Sequence, residues 1–141
     1  MKLPDVNVLL HAQDETAMHH GRARGWLEAS LTDAEPTGFT WPTLVAFLRI
    51  ATKPTVYVEP LTPTEALDVI DGWLDHPGTE IVDPGRAHRG ILRELIESSG
   101  TAGNLTSDAH LAAAAIESGA SLASFDADFH RFKALRFEYL G

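Results

Sequence analysis

The 141-residue chain carries 20 acidic residues against 11 lysines and arginines, a net charge of −9, with 44% hydrophobic and 8% aromatic residues. That length suits one compact domain, and the composition excludes a disordered or fibrous chain. The absence of cysteine excludes a disulfide framework, a thiolate zinc site and a cysteine nucleophile, and the charge is unfavourable for generic binding to a polyanion.

No apolar run approaches the roughly 20 residues that span a bilayer, and Asp5 interrupts the first apolar stretch before it could serve as a secretory signal, so a cytoplasmic location is expected. Lys2 to Ala12 reads as a short buried strand running into a helical turn, kept short because Pro4 removes a ladder donor. Ala17 to Leu31 has helical apolar spacing at Ala23, Trp26, Leu27 and Leu31. Thr37 to Thr40 is a strand, and Trp41 to Ala51 a helix that Lys53-Pro54 stops. Thr62-Pro63-Thr64-Glu65 has the cap, proline and glutamate of a helix start, with Ala66, Leu67, Ile70, Trp73 and Leu74 on its apolar face. Glu80 to Val82 is a brief strand, and Arg86 to Ser98 a helix ended by Gly100. An alanine-rich helix from Ala109 to Ser118, a strand from Ser121 to Phe125, a turn with a short helix from Asp126 to Phe132 and a strand from Arg136 to Tyr139 complete the chain. This alternation predicts a parallel sheet covered on both faces, without repeat or linker, as a single domain over 1–141.

In such a sheet, ligands bind beyond the carboxyl ends of the strands. Asp5 follows the first strand, Asp108 opens a helix, and Asp126 with Asp128 follows the strand from Ser121. Carboxylates gathered from distant segments repel one another unless a cation lies between them, and hard oxygen ligands suit magnesium or manganese. Such an ion activates water and stabilises the oxygens of a phosphodiester displacement. Each acid also has a plainer account: Asp108 in a helical first turn favoured by the dipole, Asp126 and Asp128 as turn residues bonding their own backbone. Asp5, inside an apolar run, fits the plainer account least. Arg131, Lys133 and Arg136, beside His130, form the densest basic stretch, a candidate for holding phosphate groups or else a solvated surface; Arg49 and Lys53 form a second basic pair. The histidines, His11, His19 and His20 among them, lack paired zinc-ligand spacing, and His110, two residues past Asp108, reads as a surface or packing residue. Trp26, Trp41 and Trp73 read as core.

Asp5-Val6-Asn7-Val8-Leu9-Leu10, Asn104 through Ala113, and Ser124-Phe125-Asp126-Ala127-Asp128-Phe129 together resemble PIN-domain ribonucleases, and Trp41 through Pro54 resembles a subgroup of VapC toxins of type II toxin–antitoxin systems. The resemblance spans essentially the whole chain. It implies a PIN-like α/β fold, a three-layer α/β/α sandwich on a short parallel sheet. It also implies a Mg2+- or Mn2+-dependent endoribonuclease, a homodimer, and a cognate VapB-like antitoxin that blocks the site. By position, the catalytic acids are Asp5, Asp108, Asp126 and Asp128, with Asp5, Asp108 and Asp126 holding metal. Asn7, Ser124 and Asn104 take supporting roles. The glutamate common in the helix after the second strand is missing, its place taken by Ala46 or Phe47. The implied consequence is one firmly held metal and a second that needs substrate phosphate. Two divalent ions would offset the four acids and leave a charge of about −5 spread over other surfaces.

Two other functions are compatible with the sequence. A degenerate PIN domain would bind RNA or protein without cleaving. An aspartyl-phosphate signalling domain or phosphatase also needs acids at strand ends, but Asp5-Val6-Asn7 lacks a second acid two residues on, and no conspicuous lysine follows a late strand.

Overall fold

The computed structural model describes residues Met1–Gly141. Five short strands, β1 (Lys2–Pro4), β2 (Thr37–Phe39), β3 (Thr79–Ile81), β4 (Ser121–Ser124) and β5 (Arg136–Tyr139), form one sheet in the order β3-β2-β1-β4-β5. Every neighbouring pair is parallel. Six helices cover it: α1 (Val6–Gln13), α2 (His20–Thr32), α3 (Trp41–Ala51), α4 (Pro63–Leu74), α5 (His88–Ser99) and α6 (Thr106–Ser118). No helix is long and apolar enough to cross a membrane.

The three layers follow from the alternation of side chains along each strand. Leu122 joins Leu3, Leu95 of α5 and the alanines of α6 on one face, whereas its neighbour Ala123 meets Val8 of α1 and Ala23 of α2 on the other. Phe39 faces that second side too, within a cluster containing Leu9, Leu27, Leu44, Phe47 and Ile70, so α1 to α4 form the second layer. Ala109, Ala112, Ala113 and Ala115 of α6 are all buried; small side chains let this helix press close against the sheet while α5 packs over it.

Pro4 sits in the central strand. Lys2 N–H donates to Pro36 on the β2 side and Asp5 N–H to Ala123 on the β4 side, so the residue two after Lys2 would have supplied the next bond toward β2. Proline has no hydrogen to give, and the β1–β2 pairing is confined to Lys2 opposite Thr37, while β1 pairs with β4 along its whole length.

Several boundaries differ from the sequence expectation. Helix α2 begins at His20 because the Asp14 carboxylate accepts both the backbone N–H and the hydroxyl of Thr16, fixing a turn where helical spacing alone predicts the first turn from Ala17. Strand β3 lies one residue earlier, at Thr79–Ile81. Helix α6 starts three residues earlier, at Thr106, continuous with a 3-10 turn over Gly103–Leu105. Trp41 is not core but half exposed at the start of α3; its neighbour Pro42 and the Thr40 cap set the entry of that helix.

The capping box of α4 forms as read, with Thr62 Oγ1 accepting from Glu65 N–H and Glu65 Oε1 accepting from Thr62 N–H. Gly100 and Gly119 end α5 and α6 at φ of 71° and 68°, a conformation that disfavours a side chain. Phe47 is fully buried with its ring edge-on to Trp73 at 4.8 Å. Phe47→Ala should lower unfolding free energy by roughly 3 to 5 kcal/mol and Thr62→Ala by about 1 kcal/mol, read from urea denaturation midpoints at constant slope.

Candidate acidic site at the carboxyl ends of the central strands

Strands β1 and β4 are neighbours in the sheet but far apart in sequence, and the chain leaves β1 for β2 on the opposite side. That makes their carboxyl ends the switch point of the sheet, where side chains following both strands share one crevice. Asp5 follows β1 directly, and Ser124 ends β4.

Asp5 is the N-cap of α1, its Oδ1 accepting from Val6 N–H at 2.7 Å. Its Oδ2 accepts from the Ser124 hydroxyl at 2.7 Å and from Asn7 Nδ2 at 3.1 Å. Asn7 Nδ2 also reaches Ser124 Oγ at 2.9 Å, and Asn7 Oδ1 accepts from Phe125 N–H at 3.1 Å. Ser124 Oγ in turn accepts from Asp126 N–H at 3.0 Å. One network thus locks the carboxylate of the first strand to the backbone leaving the fourth. Burial raises the Asp5 pKa, and the Asp126 charge adds to this; the bonds from Ser124 and Val6 oppose it.

Asp108 stands in the first turn of α6, but that helix start has no side-chain cap. Its pKa is raised to about 6, first by burial and then by the charges of Asp5, Asp126 and Asp128, with Arg131 pulling the other way. The acids expected to gather are therefore close enough to feel one another. Asp126 also plays the plainer role considered for it: its Oδ1 accepts from Asp128 N–H at 2.9 Å and caps the 3-10 turn Ala127–Arg131. Asp128 is exposed at the rim.

The donor set is all hard oxygen, and its mutual repulsion is the condition that a divalent cation relieves. No three carboxylate or imidazole side chains are arranged as a finished cage for one ion. Magnesium does not require that, since it commonly takes one or two protein carboxylates and completes its shell with water and phosphate oxygen. On donor chemistry, the residues fit such an ion.

Beside the acids lies a cleft of about 350 Å³ between α3 and α6, lined by Asp5, Thr40, Ala46, Arg49, Asp108 and His110 among others. Thr40 donates to Thr43 Oγ1 at 3.0 Å at the floor of this region. Ala46 lines the cleft where the family's glutamate is expected, and Phe47 points into the core, so no acid reaches the cleft from α3. Arg49 brings a cation to the wall facing Asp108. His110 packs against the His88 ring, as a packing residue would, and also lines the cleft: at 3.6 residues per turn it and Asp108 flank an arc of roughly 160° whose middle is Ser107 and Leu111. The spacing of two residues places them apart on the helix but still on one wall, a signal that the full set of cleft-facing positions would have revealed.

The remaining candidates divide. Arg131 is close enough to influence Asp108. Lys133 lies with Arg131 along a separate groove against Glu94, Leu95 and Ser98 of α5. Arg136 is carried to the far end of the sheet, because β5 runs parallel to β4 and its first residue pairs with Ser121; its guanidinium donates to the Gly119 carbonyl. Asn104, in the 3-10 turn ahead of α6, is exposed, and no hydrogen bond joins it to the acids.

The family model of the PIN domain matches residues 2–135. Among curated proteins, Ribonuclease VapC37 of Mycobacterium tuberculosis is 41% identical over 138 residues, covering 98% of this chain and 96% of its own length. Ribonuclease VapC33 of the same organism is 38% identical over 136 residues, with 96% and 95% covered. Among solved structures, VapBC2 from Rickettsia felis bound to a DNA fragment from their promoter contains a chain that matches with a TM-score of 0.72 at 19% identity, 99% of this chain and 98% of that one being covered.

The raised Asp108 pKa fixes the sign of a pH effect. Because the folded value, about 6, lies above the ordinary 3.8, stability from this group is fully present below pH 4 and is lost as pH rises through 6. Metal-free protein should therefore lose stability between about pH 4 and 6 and level off above that, and Asp108→Asn should flatten that part of the profile and raise the melting temperature at pH 7.5, as thermal unfolding with chelator would read.

Proposed function

The chain belongs to the PIN domain family, and we propose that it is a VapC-type endoribonuclease, the toxin of a toxin–antitoxin pair, which hydrolyses RNA phosphodiesters with a bound Mg2+ or Mn2+. The observation that carries this reading is the electrostatic coupling of Asp108 to Asp5, Asp126 and Asp128 at one crevice. Identity of 35–41% to ribonucleases over nearly the whole chain supports the same activity. The whole chain, 1–141, acts as one PIN domain in this reading. A VapB-like antitoxin is the proposed partner, with a homodimer as the functional unit and the cytoplasm as the compartment, where RNA is at hand.

Asp5, Asp108 and Asp126 would hold the ion, with Asp128 at the rim as an additional acid. When bound, a divalent ion supplies an activated water and stabilises charge on the phosphoryl oxygens. The chain's own part is positional. Ser124 and Asn7 fix the Asp5 carboxylate so that it neither rotates away nor swings out under repulsion from Asp126. Such outer partners typically matter 10- to 100-fold in metal affinity or activity. Arg49 and Arg131 offer cations on two sides of the acids, where a phosphodiester needs its charge offset, although the chain as a whole carries −9. Lys133 extends the Arg131 side along its groove, and Asn104 could assist only by orienting the turn before α6.

A second reading has a specific observation behind it. With Ala46 in place of an acid and no finished three-ligand cage, the domain could bind RNA or a protein without cleaving. Incubation of folded protein with several RNAs separates the two. Under the nuclease reading, cleavage appears with magnesium or manganese, disappears with chelator, and falls at least about 100-fold in Asp5→Asn and Asp108→Asn. RNA retention without products, unchanged by either substitution, would establish the binding module instead. Arg49→Ala should weaken substrate binding about tenfold with little change in turnover, seen as a raised KM.

A further inference from the structure

Behind the cleft wall, His110 does not stand alone. His110 Nδ1 lies 3.0 Å from Nε2 of His88, which is buried near the start of α5. The other ring nitrogen, His88 Nδ1, is buried without a hydrogen-bond partner and stands 3.8 Å from Glu117 Oε2. Glu117 is itself fixed: Oε2 accepts from Gly85 N–H at 3.0 Å and Oε1 from Ala87 N–H at 3.2 Å. A Cβ at position 85 would collide with this carboxylate, so the glycine makes room for it.

These contacts decide where the protons sit. A buried lone pair on His88 Nδ1 facing a carboxylate would be repelled, so that nitrogen carries the hydrogen. With His88 neutral, its Nε2 is then an acceptor, and the hydrogen between the two rings belongs to His110 Nδ1. His110 Nε2 is left as a bare acceptor on a residue that lines the cleft. A phosphate oxygen, which only accepts, gains nothing there. A hydroxyl gains a hydrogen bond.

We infer that His110 is a specificity-determining residue, accepting a hydrogen bond from the ribose 2′-hydroxyl of a strand in the cleft, with Glu117 and His88 as positioning residues that set its tautomer. The site is built for sugar rather than base because His110 shares a wall with Asp108: a backbone whose phosphate lies at the acids presents its riboses along that wall, and the 2′-hydroxyl is the group that separates RNA from DNA. This rests on the ribonuclease reading for the identity of the strand, but its tests do not depend on cleavage.

Nitrogen-15 imidazole spectra of the whole protein at neutral pH, assigned with His110→Gln, should find both His88 and His110 protonated at Nδ1. Either ring protonated at Nε2, alone or together with Nδ1, would overturn the inference. Fluorescence anisotropy with calcium, a hard cation suited to oxygen ligands, then compares a 12-nucleotide ribose strand with its deoxyribose counterpart. Wild type should favour ribose about tenfold, as one hydrogen bond provides. His110→Phe should bring the ratio close to one. So should Glu117→Ala, which removes the carboxylate that holds the hydrogen on His88 Nδ1 and frees the two rings to exchange their proton order. A preference that survives both substitutions, or is absent from wild type, would overturn the inference. Ribose preference in binding with no cleavage in magnesium or manganese would leave this inference standing and remove the nuclease reading; cleavage with an unaltered ribose preference in both variants would do the reverse.

Discussion

Burial, and after it the like charges at the carboxyl ends of β1 and β4, push the Asp108 carboxyl up to about 6, and the fold has to hold these acids together. It does so by anchoring Asp5 first. With one oxygen on Val6 N–H and the other on Ser124 and Asn7, that carboxylate is the fixed point against which Asp108 and Asp126 are placed. The anchoring groups come from both strands, so the arrangement exists only when β1 and β4 pair in register, Pro4 opposite Ala123. Folding and assembly of the acids are the same event.

The acids were legible in the sequence because each follows an apolar strand or opens a helix, and a parallel sheet collects such positions at one end. The capping box at Thr62 and the glycine stops at Gly100 and Gly119 were legible for a similar reason: local backbone chemistry leaves little choice. What could not be read depended on distant neighbours. Arg136 belongs to the basic stretch after Asp128, yet strand direction takes it to the opposite end of the sheet. Trp41 looked like core because tryptophan usually is, but the Thr40 cap and Pro42 turn α3 so that its first residue faces outward. His110 packs as expected, but its neighbours His88 and, behind it, Glu117 come from segments that sequence spacing does not connect to it.

The apparent conflict between an acidic chain and an RNA substrate is resolved locally. Arg49 and Arg131 approach the acids from α3 and from the 3-10 turn after β4, so the field a phosphate meets at the crevice differs in sign from place to place over a short distance. Part of the remaining negative charge lies on exposed helix positions such as Asp68 and Asp71 of α4.

Pro4 gives the crevice its mouth. It withholds one hydrogen from β2, and the β1–β2 pairing stops short of Asp5 and Thr40, both of which border the cleft. An imino acid in the middle of a sheet would ordinarily count as a defect. Here it sets a covalent limit on the pairing beside the cleft, one that no loop has to move to create.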